Sequence, residues 1–333
     1  MEITLKQRTP VEPLPMRPLL CHTSRVVMLG SCFAESVGEE LRKRLFDVTV
    51  NPFGTLYNPA SIARSIGRML SGYHYEASDL YHDGTLWHSM DHHSRFSAPT
   101  QEEALERINS ALDAGHEAAL AADVAVITLG TSWVFAETST NQVVANCHKR
   151  PAADFTRRML DARQEAGLLV WALREWLAVR PDLKVILTVS PVRHLADGAH
   201  GNSVSKASLL LACDETATRF DSGTVTYFPS YEIMIDDLRD YRYYASDMKH
   251  PSAEAVDYVY RVFAASFMDA DTIAAAKTCE RLTALASHRL LNASPEAEAA
   301  HSGRIRQLAA EIQPQSRFDV LGRLNSIQNT FLK

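Results

Sequence analysis

The chain has 333 residues, a hydrophobic content of 46% and a formal net charge of −6 at pH 7. These values are typical of a globular protein that can bury a substantial core in one large domain or two smaller ones. A negative chain without a basic domain argues against nucleic acid as the main partner. No apolar run approaches the ~20 residues that a membrane-spanning helix needs, so we expect no membrane partner either.

The cysteines and the first residues bear on the location of the protein. The five cysteines are odd in number and scattered, with no pair spaced as C-x-x-C. This usage is typical of free thiols in a reducing compartment. The first residues, MEITLK, lack the charged and then apolar pattern of a signal peptide. We therefore expect the protein to be cytoplasmic.

The beginning of the chain is rich in proline and is followed by a buried strand. Residues 1–22 carry four prolines, which prevent a helix and predict an extended segment packed over the body. Residues 26–29 form an uninterrupted apolar run, which predicts a strand that is buried on both faces, as in a parallel sheet. Further short apolar runs predict strands at residues 48–50, 124–129, 184–189 and 224–228.

These five strands alternate with helical patterns, which predicts an α/β fold with a doubly wound parallel sheet. We assign residues 23–268 to this domain, and within it residues 154–179 predict one long helix. Residues 269–333 show no strand pattern and predict a C-terminal helical extension. That extension would serve as an accessory region or as the contact between two copies in a homodimer.

Residues 71–98 form an insert that is rich in aromatic residues and histidine. His88 and His92 stand four residues apart, which is a spacing for metal ligands on a helix. Asp83-Gly84 and the aromatic content indicate a hairpin or a covering loop instead. Because spacing places no third ligand, we favour an insert that packs over the domain or covers the substrate, and we expect no metal site.

Ser31 follows the first predicted strand and precedes a helix. In open α/β sheets, ligands bind beyond the C-terminal ends of the strands. Free backbone N–H groups and the helix dipole would favour an oxyanion at this position. The alternative is a serine that only caps the helix.

A second candidate group lies more than two hundred residues further on, where Asp247 and His250 stand three apart before Pro251. A serine nucleophile needs an adjacent base, and histidine oriented by a carboxylate supplies one. The oxyanion also needs donors, for which the backbone N–H groups of Ser31 and Gly54 are candidates. The alternative for this pair is a helix cap and a surface histidine.

Five sequence blocks in order carry a resemblance to a known family. Residues 30–34, GSCFA, resemble the signature of the GSCFA family, a branch of the SGNH (GDSL-like) hydrolase superfamily. The resemblance spans about residues 25–265 and implies a three-layer α/β/α sandwich with a five-stranded parallel sheet in flavodoxin-like order. The other blocks are NPFGTLYNP at 51–59, TLGTSW at 128–133, TVSPVRH at 188–194 and DMKHPS at 247–252.

The resemblance also implies roles for individual residues. Ser31 would be the nucleophile, His250 the base and Asp247 the acid that orients it. Gly54 matches a glycine that donates to the oxyanion. The superfamily usually has an asparagine where this chain has Ser132. Hydroxyl groups of Thr131 and Ser132 would then have to donate.

Several neighbouring residues have open roles. A thiol at a helix N-terminus can act as a nucleophile, but we expect Cys32 to pack into the fold. Arg193 and His194 end a buried strand at the site edge, where Arg193 would bind an anionic group or the two would tie down a loop. We take Asn58, Arg193 and His194 as candidate substrate-binding residues, and assign Cys147 no role.

These observations favour a serine hydrolase that acts on an O-acyl ester, as an esterase or deacetylase. The expected substrate is a small polar molecule or a carbohydrate, and chemistry of this kind needs no cofactor. An O-acyltransferase would use the same residues. A catalytically idle ligand-binding protein is the alternative that Ser132 favours, and a metal-dependent enzyme that uses the insert is a third.

Overall fold

The computed structural model of the protein describes residues 9–15, 17–288, 294–316 and 318–331. The strands are β1 (Arg25–Gly30), β2 (Asp47–Val50), β3 (Leu80–His82), β4 (Trp87–Ser89), β5 (Val124–Leu129), β6 (Trp133–Glu137), β7 (Val143–Val144), β8 (Phe155–Met159), β9 (Lys184–Val189) and β10 (Val225–Phe228). The helices are α1 (Cys32–Lys43), α2 (Pro59–Ser71), α3 (Gln101–Ala121), α4 (Ala162–Val179), α5 (Gly198–Ala217), α6 (Ser230–Glu232), α7 (Ala253–Phe267), α8 (Ala270–Ser287), α9 (Pro295–Ile312) and α10 (Val320–Phe331).

The main sheet is parallel throughout and has the strand order β10-β9-β5-β1-β2. This is the flavodoxin-like order that the family resemblance implies. All six residues of β5 are buried. In β1 and β9, every residue except the first is buried. Continuous Val, Ile and Leu runs produce this burial because helices cover both faces of the sheet.

Two apolar cores separate the sheet from its two helical layers. One core lies between the sheet and α2 to α5 and includes the fully buried Trp176. Its indole Nε1 donates a hydrogen bond to the carbonyl of Ala119 at 2.9 Å. The other core lies between the sheet and α1 and α7, with Phe33 and Phe263 among its members. The predicted three-layer α/β/α sandwich is confirmed.

The chain between β5 and α4 forms a second sheet, which is antiparallel and has the strand order β7-β6-β8. It corrects the single helix predicted over residues 154–179. Residues 155–159 pair along the whole of β6, and this pairing outweighs the helix propensity of their arginines and methionine. The helix begins only at Ala162, where Asp161 accepts a hydrogen bond from the Gln164 N–H.

The insert at residues 71–98 contains the hairpin β3–β4. His88 lies on β4 and His92 follows it in a turn, so the two histidines do not share a helix face. The ring of His88 hydrogen-bonds to Ser97 and Asp83, and that of His92 to Ser89. Within the described ranges, no group of three or more metal-ligating side chains is assembled.

The described parts of both terminal regions pack on the sandwich. In the N-terminal segment, Arg17 and Leu19 donate backbone hydrogen bonds to Ser266 and Phe267; residues 1–8 and 16 of the predicted segment lie outside the described residues. Helices α8 to α10 share a core with Leu45, which follows the end of α1. The homodimer contact stays a prediction. None of the helices in the described ranges has the length and apolar character to cross a membrane.

Candidate active site

A cleft of about 820 Å³ opens beyond the C-terminal ends of β1, β5 and β9. A larger cavity of about 1050 Å³ lies against α2 and α4 but includes none of the predicted site residues. The smaller cleft is therefore the candidate site. Its lining includes Cys32, Tyr57, Asn58, Thr131, Trp133, Cys147, Arg157, Arg193, His194, Lys249 and His250.

The turn from β1 to α1 brings the backbone unusually close to β5. Gly30 has φ +132°, and a Cβ there would lie 2.0 Å from the carbonyl oxygen of Thr128. The N–H of Gly30 donates to Asn51 Oδ1 at 2.8 Å, and that of Ser31 donates to the Thr128 carbonyl at 3.2 Å. Glycine alone fits this turn, which fixes where α1 begins.

Ser31 and Cys32 occupy different surroundings. Ser31 has 0% exposure, and its Oγ accepts a hydrogen bond from the Phe33 N–H at 3.3 Å as the N-cap of α1. Ser31 is absent from the lining of the cleft, whereas Cys32 is partly exposed and lines it. The structure therefore brings Cys32, rather than Ser31, to the cleft surface with His250.

Asp247 and His250 form a direct pair. His250 Nδ1 lies 2.6 Å from Asp247 Oδ2, and Asp247 Oδ1 accepts from the backbone N–H groups of His250 and Lys249. These hydrogen bonds hold the pKa of Asp247 well below its usual range. An ionised carboxylate only accepts, so Nδ1 carries the proton and Nε2 is the basic atom. Nε2 has no hydrogen-bond partner among the described residues.

Besides the Ser31 N–H, which donates to Thr128, the predicted oxyanion donors Gly54 and Ser132 also have other partners. Gly54 has φ +79°, and its N–H donates to the carbonyl of Asn51 at 2.8 Å. Ser132 has 0% exposure, and its N–H and Oγ donate to Oγ and the carbonyl of Ser205 at 2.8 and 2.9 Å. Neither Gly54 nor Ser132 lines the cleft.

Thr131 and Asn58 do line the cleft. The Thr131 N–H donates to the Tyr57 carbonyl at 2.9 Å, and its Oγ1 shares a hydrogen bond with Ser205 Oγ at 3.2 Å. Asn58 is 6% exposed and caps α2, because its Oδ1 accepts from the Ser61 N–H at 2.8 Å. No hydrogen-bond partner of Asn58 Nδ2 occurs in the part of the chain that the structure describes.

A buried lysine lies behind the cleft. Lys206 Nζ donates to the carbonyls of Gly130 and Ser190 at 2.6 and 2.7 Å, which ties the ends of β5 and β9 together. Burial lowers the pKa of Lys206 to about 7. Burial, reinforced by the charge of Lys206, lowers the pKa of His194 to about 4, so this imidazole is neutral at pH 7.

A family model supports the resemblance found in the motifs. The model of the GSCFA family matches residues 25–263. The chain belongs to the GSCFA family. A search of curated proteins gives no match. Among solved structures similar to this GSCFA protein is an acetyl xylan esterase, Est2A, from the rumen bacterium Butyrivibrio proteoclasticus. That likeness has a TM-score of 0.37 and 13% identity, and it covers 77% of this chain and 64% of the esterase.

The antiparallel sheet of the GSCFA protein forms an aromatic wall of the cleft that sequence reasoning missed. Trp133 on β6 lines the cleft together with Phe155 at the start of β8. The guanidinium carbon of Arg157 lies 3.9 Å from the centre of a Trp133 ring, and Arg157 is ion-paired with Asp197. The alternation of W-V-F-A-E at residues 133–137 was the available signal for a half-buried strand.

The cleft of the GSCFA protein also carries excess positive charge. Arg193 donates its N–H to the carbonyl of Lys249 at 3.1 Å, which joins the loop after β9 to the Asp247–His250 turn. Among the described residues, neither Arg193 nor Lys249 has a carboxylate partner, and Arg193 lies 5.9 Å from the Tyr244 ring centre. Sequence reasoning also missed Lys206. A weak signal for its burial was available, since Lys206 lies on the same face of α5 as the apolar Leu209 and Cys213.

Proposed function

We propose that the protein catalyses acyl transfer from an O-acyl ester, with water or a second alcohol as the acceptor. The observation that carries this proposal is the Asp247–His250 pair. His250 Nε2 has no hydrogen-bond partner among the described residues, and His250 lines the same cleft as the first turn of α1. Nε2 would take the proton of a nucleophile on that turn and return it to the leaving alcohol. The positive end of the helix dipole would favour the oxyanion.

The lining of the cleft supports a polar substrate. Tyr57 and Trp133 in the cleft lining offer apolar surface for the ring of a carbohydrate. Arg193 and Lys249 lack carboxylate partners in the described part of the chain, so a carboxylate or phosphate of the substrate would find charge-assisted donors there. We therefore propose a small polar or carbohydrate ester as the substrate class.

A catalytically idle binding protein is the second candidate. The observation in its favour is that Gly54 N–H and the Ser132 hydroxyl both have internal partners. Under this hypothesis, the cleft holds an acylated ligand without turning it over, because no complete set of donors stabilises the oxyanion.

Hydrolysis of p-nitrophenyl acetate by the wild type and by a His250→Ala variant tests the proposal. Loss of the general base should lower turnover by about 10²- to 10⁴-fold. His74→Ala is the matched control, because His74 forms a similarly exposed pair with Asp113 at 2.7 Å outside the cleft. No turnover by folded wild type, with measurable binding of an acetylated sugar, would favour the idle protein. Equal activity in wild type and His250→Ala would refute the role of His250.

A further inference from the structure

The turn that carries His250 is tied only lightly to the rest of the fold. The side chain of His250 is about half exposed, and the hydrogen bonds within residues 245–250 join the turn to itself. In the part of the chain that the structure describes, one hydrogen bond reaches this turn from outside: the Arg193 N–H donates to the Lys249 carbonyl at 3.1 Å. An exposed turn with so few ties has little local stability, so the placement of His250 depends on the β9 loop (residues 190–194).

Helix α5 holds the β9 loop at both of its ends. Asn202 Oδ1 accepts a hydrogen bond from the His194 N–H at 2.9 Å. Lys206 Nζ donates to the Ser190 carbonyl at 2.7 Å. The two side chains lie four residues apart on one face of the helix, and they are only 6% and 1% exposed. The first and last residues of the β9 loop are therefore both fixed to α5.

The same face of α5 also fixes the loop after β5. Lys206 Nζ donates to the Gly130 carbonyl at 2.6 Å, and Ser205 Oγ accepts from the Ser132 N–H at 2.8 Å. Thr131, which lies between these two anchored residues, lines the cleft. The two loops and α5 thus form one hydrogen-bonded unit at the edge of the cleft.

Stability alone does not account for a lysine at this position. Burial removes the ammonium group from water and lowers the pKa of Lys206 to about 7. Replacement of buried ionic groups by apolar side chains of similar volume is often neutral or stabilising. The lysine adds directed N–H donors for two carbonyl groups that follow the ends of the strands. Such donors set the direction in which each loop leaves the sheet, which an apolar side chain does not do.

We propose that Asn202 and Lys206 are positioning residues for His250. They hold the β9 loop at its two ends, and the hydrogen bond from Arg193 to Lys249 passes this placement on to the turn that carries the base. This inference rests on the proposed function, in which His250 Nε2 transfers the proton. A displacement of about 1 Å in a reacting group can lower the rate by about 10²-fold, so a shift of the β9 loop should lower kcat.

Hydrolysis of p-nitrophenyl acetate by Asn202→Ala and Asn202→Asp tests the first anchor. Alanine leaves the His194 N–H without its acceptor, whereas aspartate keeps an acceptor oxygen at the same place. We expect kcat to fall by about 10- to 100-fold in Asn202→Ala, with a smaller change in KM, and to recover most of the wild-type value in Asn202→Asp. Ser203→Ala is the matched control, because Ser203 is exposed and its hydroxyl bonds within α5.

Hydrogen–deuterium exchange measured by mass spectrometry tests the link to the turn without a substrate. In Asn202→Ala, the amides of the β9 loop and of residues 245–250 should exchange faster than in the wild type by about 2- to 10-fold, as the loss of one hydrogen bond predicts. Asn202→Asp should exchange as the wild type does. Exchange in α3 should be equal in all three proteins, which separates a local change from a global loss of stability.

Lys206→Met tests the second anchor. Methionine fills a similar volume but has no N–H donors for the two carbonyl groups. We expect kcat to fall by about 10- to 100-fold and exchange to become faster in the same two segments. Lys277→Met, at an exposed position of α8, is the control and should change neither.

The outcomes separate this inference from the function on which it rests. A folded Asn202→Ala with the kcat of the wild type would overturn the inference, while acyl transfer would stand. A lower kcat without faster exchange at residues 245–250 would overturn the link through Arg193 and Lys249. Equal losses in Asn202→Ala and Asn202→Asp would overturn the role of the acceptor oxygen. Folded wild type without turnover would overturn the proposed function and, with it, the catalytic role of both anchors.

Discussion

Glu165 provides a stability prediction with a defined pH window. This carboxyl lies on α4 with 0% exposure. Oε2 accepts a hydrogen bond from Ser208 Oγ at 2.8 Å, whereas Oε1 is buried and has no partner among the described residues. Burial raises the pKa of Glu165 from 4.5 to about 7. The folded protein therefore holds a proton that the unfolded chain has already released at pH 6.

The magnitude follows from the difference between the two pKa values of Glu165. Each pKa unit corresponds to about 1.4 kcal/mol, so the full difference is about 3 kcal/mol. Below pH 4.5 the carboxyl is neutral in both states, and burial carries no ionisation cost. As the pH rises from 4.5 to 7, the unfolded state loses its proton first, and the free energy of unfolding decreases. Above pH 7 the loss is complete.

Urea unfolding of the wild type and Glu165→Gln between pH 4.5 and 8 checks this reasoning. Glutamine preserves the hydrogen-bonding shape without a titrating group, so the variant should gain up to about 3 kcal/mol relative to the wild type across this range. Other groups, such as the neutral His194, titrate alike in both proteins and cancel in the difference. Glu175→Gln, at an exposed position of the same helix, should show no such trend. A Glu165→Gln difference that does not change with pH would refute the argument.

Three further perturbations have expected outcomes. Gly30→Ala should prevent stable folding, because the new Cβ would lie 2.0 Å from the Thr128 carbonyl; Gly303→Ala in α9, where the Cβ meets open space, should raise the thermal midpoint slightly. Asp247→Asn should lower ester turnover by about 10²- to 10⁴-fold at unchanged thermal stability, since the base loses its orienting carboxylate. In the wild type, the free energy of unfolding should rise as the pH increases from about 7 toward 10.5, because only the unfolded state keeps the Lys206 proton there. Urea unfolding of Lys206→Met should not show this rise. A rise that persists in the variant would contradict the low pKa of Lys206.

Much of the fold follows from local sequence. The apolar runs at β1, β5 and β9 show no polar alternation, and such strands are stable only between two layers of helices. Strand order was available because the motif blocks matched a family with a known architecture. The antiparallel sheet was harder to predict, since residues 155–159 carry helix-compatible side chains and become a strand only by pairing with β6.

The candidate site shows the same division more sharply. The sequence by itself determined that Gly30-Ser31-Cys32 follows a buried strand and that Asp247 and His250 stand three apart ahead of a helix, because glycine, apolar runs and spacing act over a few residues. It could not decide whether Ser31 or Cys32 faces the cleft, since Ser31 has an extended backbone and Cys32 a helical one, which rotates one side chain relative to the other. Only the tertiary structure set that rotation and removed Lys206 from solvent, because the packing of α1 and α5 on the sheet depends on contacts far apart in the chain.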